Sequence, residues 1–259
     1  MQIFQPRNGT FSSTIRRRAC RVNLRCVARF PVVLLLSSLL ISQLGLPNAN
    51  QTAAATEPEL PLLLHETFEE GAGRWQPFDP SGWRMEREGD QAIYSQFKKT
   101  TDYRPPHRSP LLMSLLKDVV VSDLDLRLKV KSTHPDYGHR DVCIIFGYQD
   151  PAHFYYVHLG QEMDDHANQI FVVDDAPRVK ISTKTTDGTP WDDEWHDVRI
   201  LREVESGRIE VYFDDMESPV MTAEDKRFAW GQIGIGSFDD LSVWKDIRVH
   251  GKPAEKPAP

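Results

Sequence analysis

Tyr156, His158, Asp164, Asp165 and His166 fall close together between Tyr155 and Asn168, the richest polar cluster in the chain. An imidazole can bond a hydroxyl or carry a proton near neutral pH, a carboxylate accepts hydrogen bonds, and a phenol ring can stack on the apolar face of a sugar. Such a set suits a polyhydroxylated ligand. With a positioned proton donor it would also suit acid–base cleavage of that ligand. Arg140 and Asp141 open the apolar run that precedes the cluster, where they could recognise hydroxyls or an acidic sugar, or form a plain surface ion pair. Trp191, in the loop from Thr189 to Glu194, offers either a stacking ring at an edge or a plug for the core. The candidate ligand-binding set is therefore Arg140, Asp141, Tyr156, His158, Asp164, His166 and Trp191. Asp164, Asp165 and His166 read equally as a solvated turn. The loop Tyr103 to Arg108 reads as an aromatic and basic lip or as a cover.

Other chemistries find less support. Asp174-Asp175, Asp192-Asp193-Glu194, Asp214-Asp215 and Asp239-Asp240 are turn chemistry or one structural calcium site, and none has the regularly spaced ligands of a dedicated loop. The nine histidines contain no His-x-x-x-His or His-Glu-x-x-His pair, so no zinc site and no resident cofactor are expected. Cys143, inside Val142-Cys-Ile-Ile-Phe146, reads as a buried structural thiol rather than a nucleophile.

These residues need strands to hold them. Ile209, Val211 and Phe213 alternate with Glu210 and Tyr212, and His196, Val198 and Ile200 alternate with Asp197 and Arg199, the period of strands with one buried face. Glu205-Ser206-Gly207 supplies a glycine where a short hairpin loop needs a positive φ. Gly231, Gly234 and Gly236 would each destabilise a helix by roughly 1 kcal/mol relative to Ala, whereas in a strand they permit close backbone approach. Alternation predicts strands near 62–68, 83–86, 91–95, 111–115, 119–130, 141–148, 153–159, 169–173, 178–182, 195–202, 208–213, 231–236 and 241–249. With Phe154, Tyr156 and His158 on one face and the more apolar Tyr155, Val157 and Leu159 on the other, Tyr156 and His158 are expected on an open concave sheet or packed beneath a loop. The fold class is all-β, a two-sheet antiparallel sandwich. Trp75, Trp230 and Trp244 read as core.

The run Phe146-Gly-Tyr-Gln-Asp-Pro-Ala-His-Phe-Tyr-Tyr-Val-His-Leu-Gly160, with Trp195-His196, Tyr212-Phe-Asp-Asp215 and Gly234-Ile-Gly-Ser-Phe-Asp-Asp240, resembles concanavalin A-like (laminin G-like) jelly rolls. It is similar to the secreted bacterial domains grouped as 3-keto-disaccharide hydrolase or family 16 glycosidase-like. The resemblance implies a jelly roll and a carbohydrate partner, with glycoside hydrolysis as an alternative. The paired glutamates of family 16, Glu-x-Asp-x-x-Glu, are missing. Glu162-Met-Asp-Asp165 comes nearest and has no second glutamate, so no nucleophile is assigned and enzymatic activity stays open.

The ends carry a different message. Arg16 to Arg29 form a basic region, Val32 to Leu46 a mostly apolar run too short for a confident membrane span, and Pro47 to Ala55 a stretch of small residues. Residues 1–56 are expected to be a signal segment and linker, 57–251 the sandwich domain and 252–259 a disordered tail, with export to the periplasm or the extracellular space. The chain has 31 basic and 38 acidic residues. Seven arginines and no acid lie in 1–56, leaving the remainder formally at −14. That balance argues against nucleic acid as a partner. With Cys20 and Cys26 in the leader, Cys143 is alone in the domain, whose stability must come from its core. The readings are thus an exported carbohydrate-binding domain, a glycoside hydrolase, or an adhesion module without a small ligand.

Overall fold

The computed structural model describes residues 60–256, so the expected signal segment at 1–56 lies outside the described residues. Sixteen strands follow one another: β1 (Leu62–Glu66), β2 (Trp75–Pro77), β3 (Trp83–Glu88), β4 (Gln91–Gln96), β5 (Leu112–Leu116), β6 (Val121–Ser132), β7 (Asp141–Asp150), β8 (His153–Gly160), β9 (Gln169–Asp174), β10 (Val179–Lys180), β11 (Ser182–Lys184), β12 (His196–Arg202), β13 (Arg208–Phe213), β14 (Met221–Glu224), β15 (Gln232–Ser237) and β16 (Ser242–Pro253). Apart from one 3₁₀ turn at Pro80–Gly82, no helix occurs among the described residues, and none there is long and apolar enough to cross a membrane.

The strands form two antiparallel sheets. One has the order β11-β14-β13-β12-β6-β16-β4-β3, with β1 also pairing β16, and the other β10-β9-β8-β7-β15-β5-β2. The all-β, two-sheet antiparallel sandwich expected from alternation is the fold observed. Between the sheets lies the main core, to which β6 contributes Leu124, Leu126, Leu128 and Val130, β7 Val142, Ile144 and Phe146, and β8 Tyr155, Val157 and Leu159. Trp244 is fully buried there and Trp75 nearly so, while Trp230 is only half-buried.

Local details follow from residue type. Gly207 takes φ 85° in the β12–β13 loop, as the hairpin requires. Gly236 packs so tightly on β5 that a Cβ there would lie 2.1 Å from the Leu112 carbonyl oxygen. Two strands escaped the alternation pattern. Trp75–Pro77 is three residues long, and Met221–Glu224 is an interior-and-exterior alternation too short to stand out. The expected strand at 178–182 is two pieces, one in each sheet. The expected tail at 252–259 begins as strand: β16 runs to Pro253, which stands opposite Val121, and Ala254 donates to the Val120 carbonyl at 2.9 Å.

The seven-stranded sheet is buried on both faces. Its second face carries Met113, Leu115, Cys143, Ile145, Phe154, Tyr156, Phe171 and Val173, over which Phe78, Tyr103 and Phe238 pack. The assignment of Phe154, Tyr156 and His158 to one face holds, but the open concave sheet does not: Tyr156 is 0% exposed. Beside His158 the covering layer leaves a cavity.

Candidate functional site

β7 and β8 build the floor of this cavity. Asp141 and Cys143 are two residues apart on β7 and so share a face, and His158 on β8 stands directly opposite Cys143. That register depends on a bulge. Counted from the turn, where Asp150 pairs with His153, Gly160 would oppose Cys143. Gly147, at φ 58°, lies in the irregularity between Phe146 and Asp150 that slips the ladder by two residues and delivers His158 instead.

His158 Nδ1 lies 2.7 Å from the His166 carbonyl oxygen. A carbonyl can only accept, so Nδ1 carries a proton and donates it. The other nitrogen, Nε2, lies 2.8 Å from Asp141 Oδ2. The distance is that of an ion pair but the angle is not that of a hydrogen bond, and Nε2 and Asp141 Oδ1 are both buried without a hydrogen-bond partner. The Asp141 N–H donates to Asp240 Oδ2 at 2.6 Å, and the Tyr137 hydroxyl to Asp240 Oδ1 at 2.7 Å. Burial, and then the neighbouring Asp141 charge, push the Asp240 carboxyl up to about 6. Burial likewise pushes the Cys143 thiol well up.

The cavity above has a volume of 570 Å³ and is lined by Asp141, His158, Asp164 and His166 together with Arg108, Tyr137, His139, Arg178, Phe238 and Asp239. Arg178 organises one wall. Its guanidinium lies 4.7 Å from the ring centroids of both Phe171 and Phe238. Nη1 donates to the Tyr156 hydroxyl at 2.8 Å and Nη2 to the His166 carbonyl at 3.2 Å. Tyr156 thus sits beneath the site and holds Arg178. Asp164 Oδ1 accepts from the backbone N–H groups of His166 and Ala167 at 2.6 and 2.7 Å. Burial opposes ionisation there, but these bonds hold the carboxyl below its usual range. Asp164 therefore shapes its turn and lines the cavity, whereas Asp165 points to solvent and pairs with Lys180 at 2.7 Å.

Two of the sequence candidates stand elsewhere. Arg140 is 2% exposed; its Nε donates to Ser132 Oγ at 2.8 Å, and its Nη2 to the carbonyls of Ser132 and Asp192 at 2.9 and 2.8 Å, tying the end of β6 to the loop before β12. It precedes the first residue of β7 and turns away from Asp141. Trp191 is a core plug: its Nε1 donates to the Leu159 carbonyl at 2.8 Å, and its ring meets His196 and Phe213 edge-on. The acidic pairs other than Asp239-Asp240 serve turns. Asp175 and Asp214 take φ 49° and 57°, and Asp192 and Asp215 each accept a backbone N–H two residues on.

Sequence reasoning missed Arg178, Phe238, Tyr137 and His139 as cavity residues, because they come from three separated segments. The readable signal was Tyr137-Gly138-His139, an aromatic and histidine loop directly before Arg140-Asp141. The Tyr103 to Arg108 loop divides its work: Tyr103 stacks on Phe78 at 4.6 Å as part of the cover, and Arg108 lines the cavity.

No protein-family model matches the chain, and no curated protein matches it. Solved structures do. A mutant of the GH43 protein BlXynB from Bacillus licheniformis superposes at a TM-score of 0.50 and 12% identity, over 72% of this chain and 39% of that one. Domain 4 of AbnA, a GH43 extracellular arabinanase from Geobacillus stearothermophilus, in complex with arabinotriose, gives 0.49 and 11%, over 76% and 96%. The carbohydrate-binding module CBM66 from Bacillus subtilis gives 0.48 and 16%, over 69% and 96%. At such identities the likeness concerns the fold alone.

Proposed function

We propose that this sandwich domain binds a carbohydrate in the cavity above β7 and β8, and that the protein is exported. The observation that carries the binding site is the lining itself. In one 570 Å³ cavity, imidazoles, carboxylates and guanidinium groups converge beside the Phe238 ring. Hydroxyl groups alternate donor and acceptor, so they are held by mixed sets of this kind, while an aromatic edge or face covers the C–H surface of the sugar ring. Export rests on the basic and then apolar leader, and fractionation of cells expressing the full chain tests it.

Binding is tested with glycan arrays followed by calorimetry on the purified protein. The expected result is saturable binding of an oligosaccharide that is lost when the cavity wall is altered by Phe238→Ala. Absence of binding to every poly- and oligosaccharide offered would remove the reading. Incubation with the bound glycans and with 3-keto-glycosides separates binding from cleavage, because released product would extend the proposal to a hydrolase.

A further inference from the structure

Asp141, Cys143 and His158 form the one group of three potential metal ligands that comes together among the described residues. A carboxylate oxygen, Sγ and an imidazole nitrogen all lie within 4.8 Å of one another. The sheet makes this arrangement: Cys143 and His158 are a directly opposed cross-strand pair, and Asp141 is the next residue on the same face of β7.

Two further observations point to a cation. Nε2 of His158 and Oδ1 of Asp141 are buried with no hydrogen-bond partner, although buried polar atoms are nearly always satisfied. The proton on Nδ1 is committed to the His166 carbonyl, so Nε2 alone faces the carboxylate oxygen 2.8 Å away, at an angle that makes no hydrogen bond. Two electron-rich atoms do not face each other at that distance without positive charge between or beside them. Metal-bound histidines use this arrangement, with the remote N–H held by a carbonyl.

We propose that Asp141, Cys143 and His158 bind a zinc ion, with its fourth position open to the cavity. Mixed oxygen, sulfur and nitrogen donors suit a borderline cation, whereas calcium and magnesium take oxygen ligands in larger number. A tetrahedral zinc ion holds its ligand atoms roughly 3.3–3.8 Å apart, so the three side chains reach it with shifts on the order of 1 Å. Binding replaces the thiol proton of Cys143 with the metal and releases it to solvent. Asp141 and His158 reach the cavity while Cys143 lies beneath them, which leaves the open position on the cavity side. The site holds whether or not a sugar enters.

Cobalt(II) substitution tests this in the full chain carrying Cys20→Ser and Cys26→Ser, in which Cys143 is the single thiol. One equivalent of Co²⁺ should produce the near-ultraviolet absorption of a thiolate–cobalt bond, and one equivalent of Zn²⁺ should abolish it while Ca²⁺ does not. Asp141→Asn and His158→Gln should each weaken Co²⁺ binding at least tenfold with unchanged circular dichroism. As a check without ligand variants, equimolar Zn²⁺ should raise the thermal unfolding midpoint of the same protein, and a chelator should reverse the rise. A folded protein showing no thiolate–cobalt absorption, affinities unmoved in both variants, or an unfolding midpoint indifferent to Zn²⁺ would each overturn the site. Sugar binding, read by calorimetry, fails or succeeds separately.

Discussion

Arg178 shows how much one side chain does in this cavity. Its guanidinium lies over the rings of both Phe171 and Phe238 and is hydrogen-bonded to Tyr156, so it is held in place before any ligand arrives. Arg178→Ala should weaken oligosaccharide binding by about tenfold, the loss of one fixed donor group, and calorimetry on wild type and variant reads it. Arg178→Lys should restore little, because an ammonium lacks the planar fork that stacks and bonds at once. At this scale the sequence was partly legible. Asp141, His158, Asp164 and His166 were identified from their types, and they do line the cavity. Arg140 and Trp191 were attractive for the same reason and serve the framework, since residue type says what a group can do and only its neighbours decide what it does.

At the scale of elements, register and close approach position the site. Gly236 lies where β15 meets β5 so closely that Gly236→Ala would drive its methyl into the Leu112 backbone. Relief requires the strands to separate, at a cost of about 2 kcal/mol or more, which denaturant unfolding would measure. The outer face of the other sheet is tied by Asp125 of β6. It accepts from Arg199 of β12 at 2.8 and 2.7 Å and from Arg127 at 3.2 and 2.8 Å. Burial pushes this carboxyl up, but the two guanidiniums more than offset it and hold the group below its usual range. A depressed folded-state value means that the contribution to stability is complete above about pH 4 and fades as pH falls through the folded value. Asp125→Asn should therefore cost about 1–3 kcal/mol at pH 7, and its deficit against wild type should narrow in urea titrations below about pH 4. The elements themselves were largely legible, since strand alternation spans whole segments. The Gly147 bulge was not, because a turn sequence alone predicts an uninterrupted ladder.

On the scale of the whole molecule, one sandwich core carries the stability of a domain whose only cysteine is Cys143. Trp244 stands at 0% exposure within that core. Trp244→Ala should lower stability by about 3–5 kcal/mol through lost burial and the cavity left behind, seen as an earlier thermal and urea transition. The sequence by itself determined the class of fold, because a period of two along each strand is a local property that any buried sheet face imposes. It also determined which face of β8 holds Tyr156 and His158. Only the tertiary structure decided that this face is roofed rather than open, that Arg178 and Phe238 join the wall, and that His158 stands opposite Cys143 with Asp141 beside it. These are contacts between segments far apart in the chain, and they follow from strand register, a bulge and loop packing. No local pattern of residues encodes them.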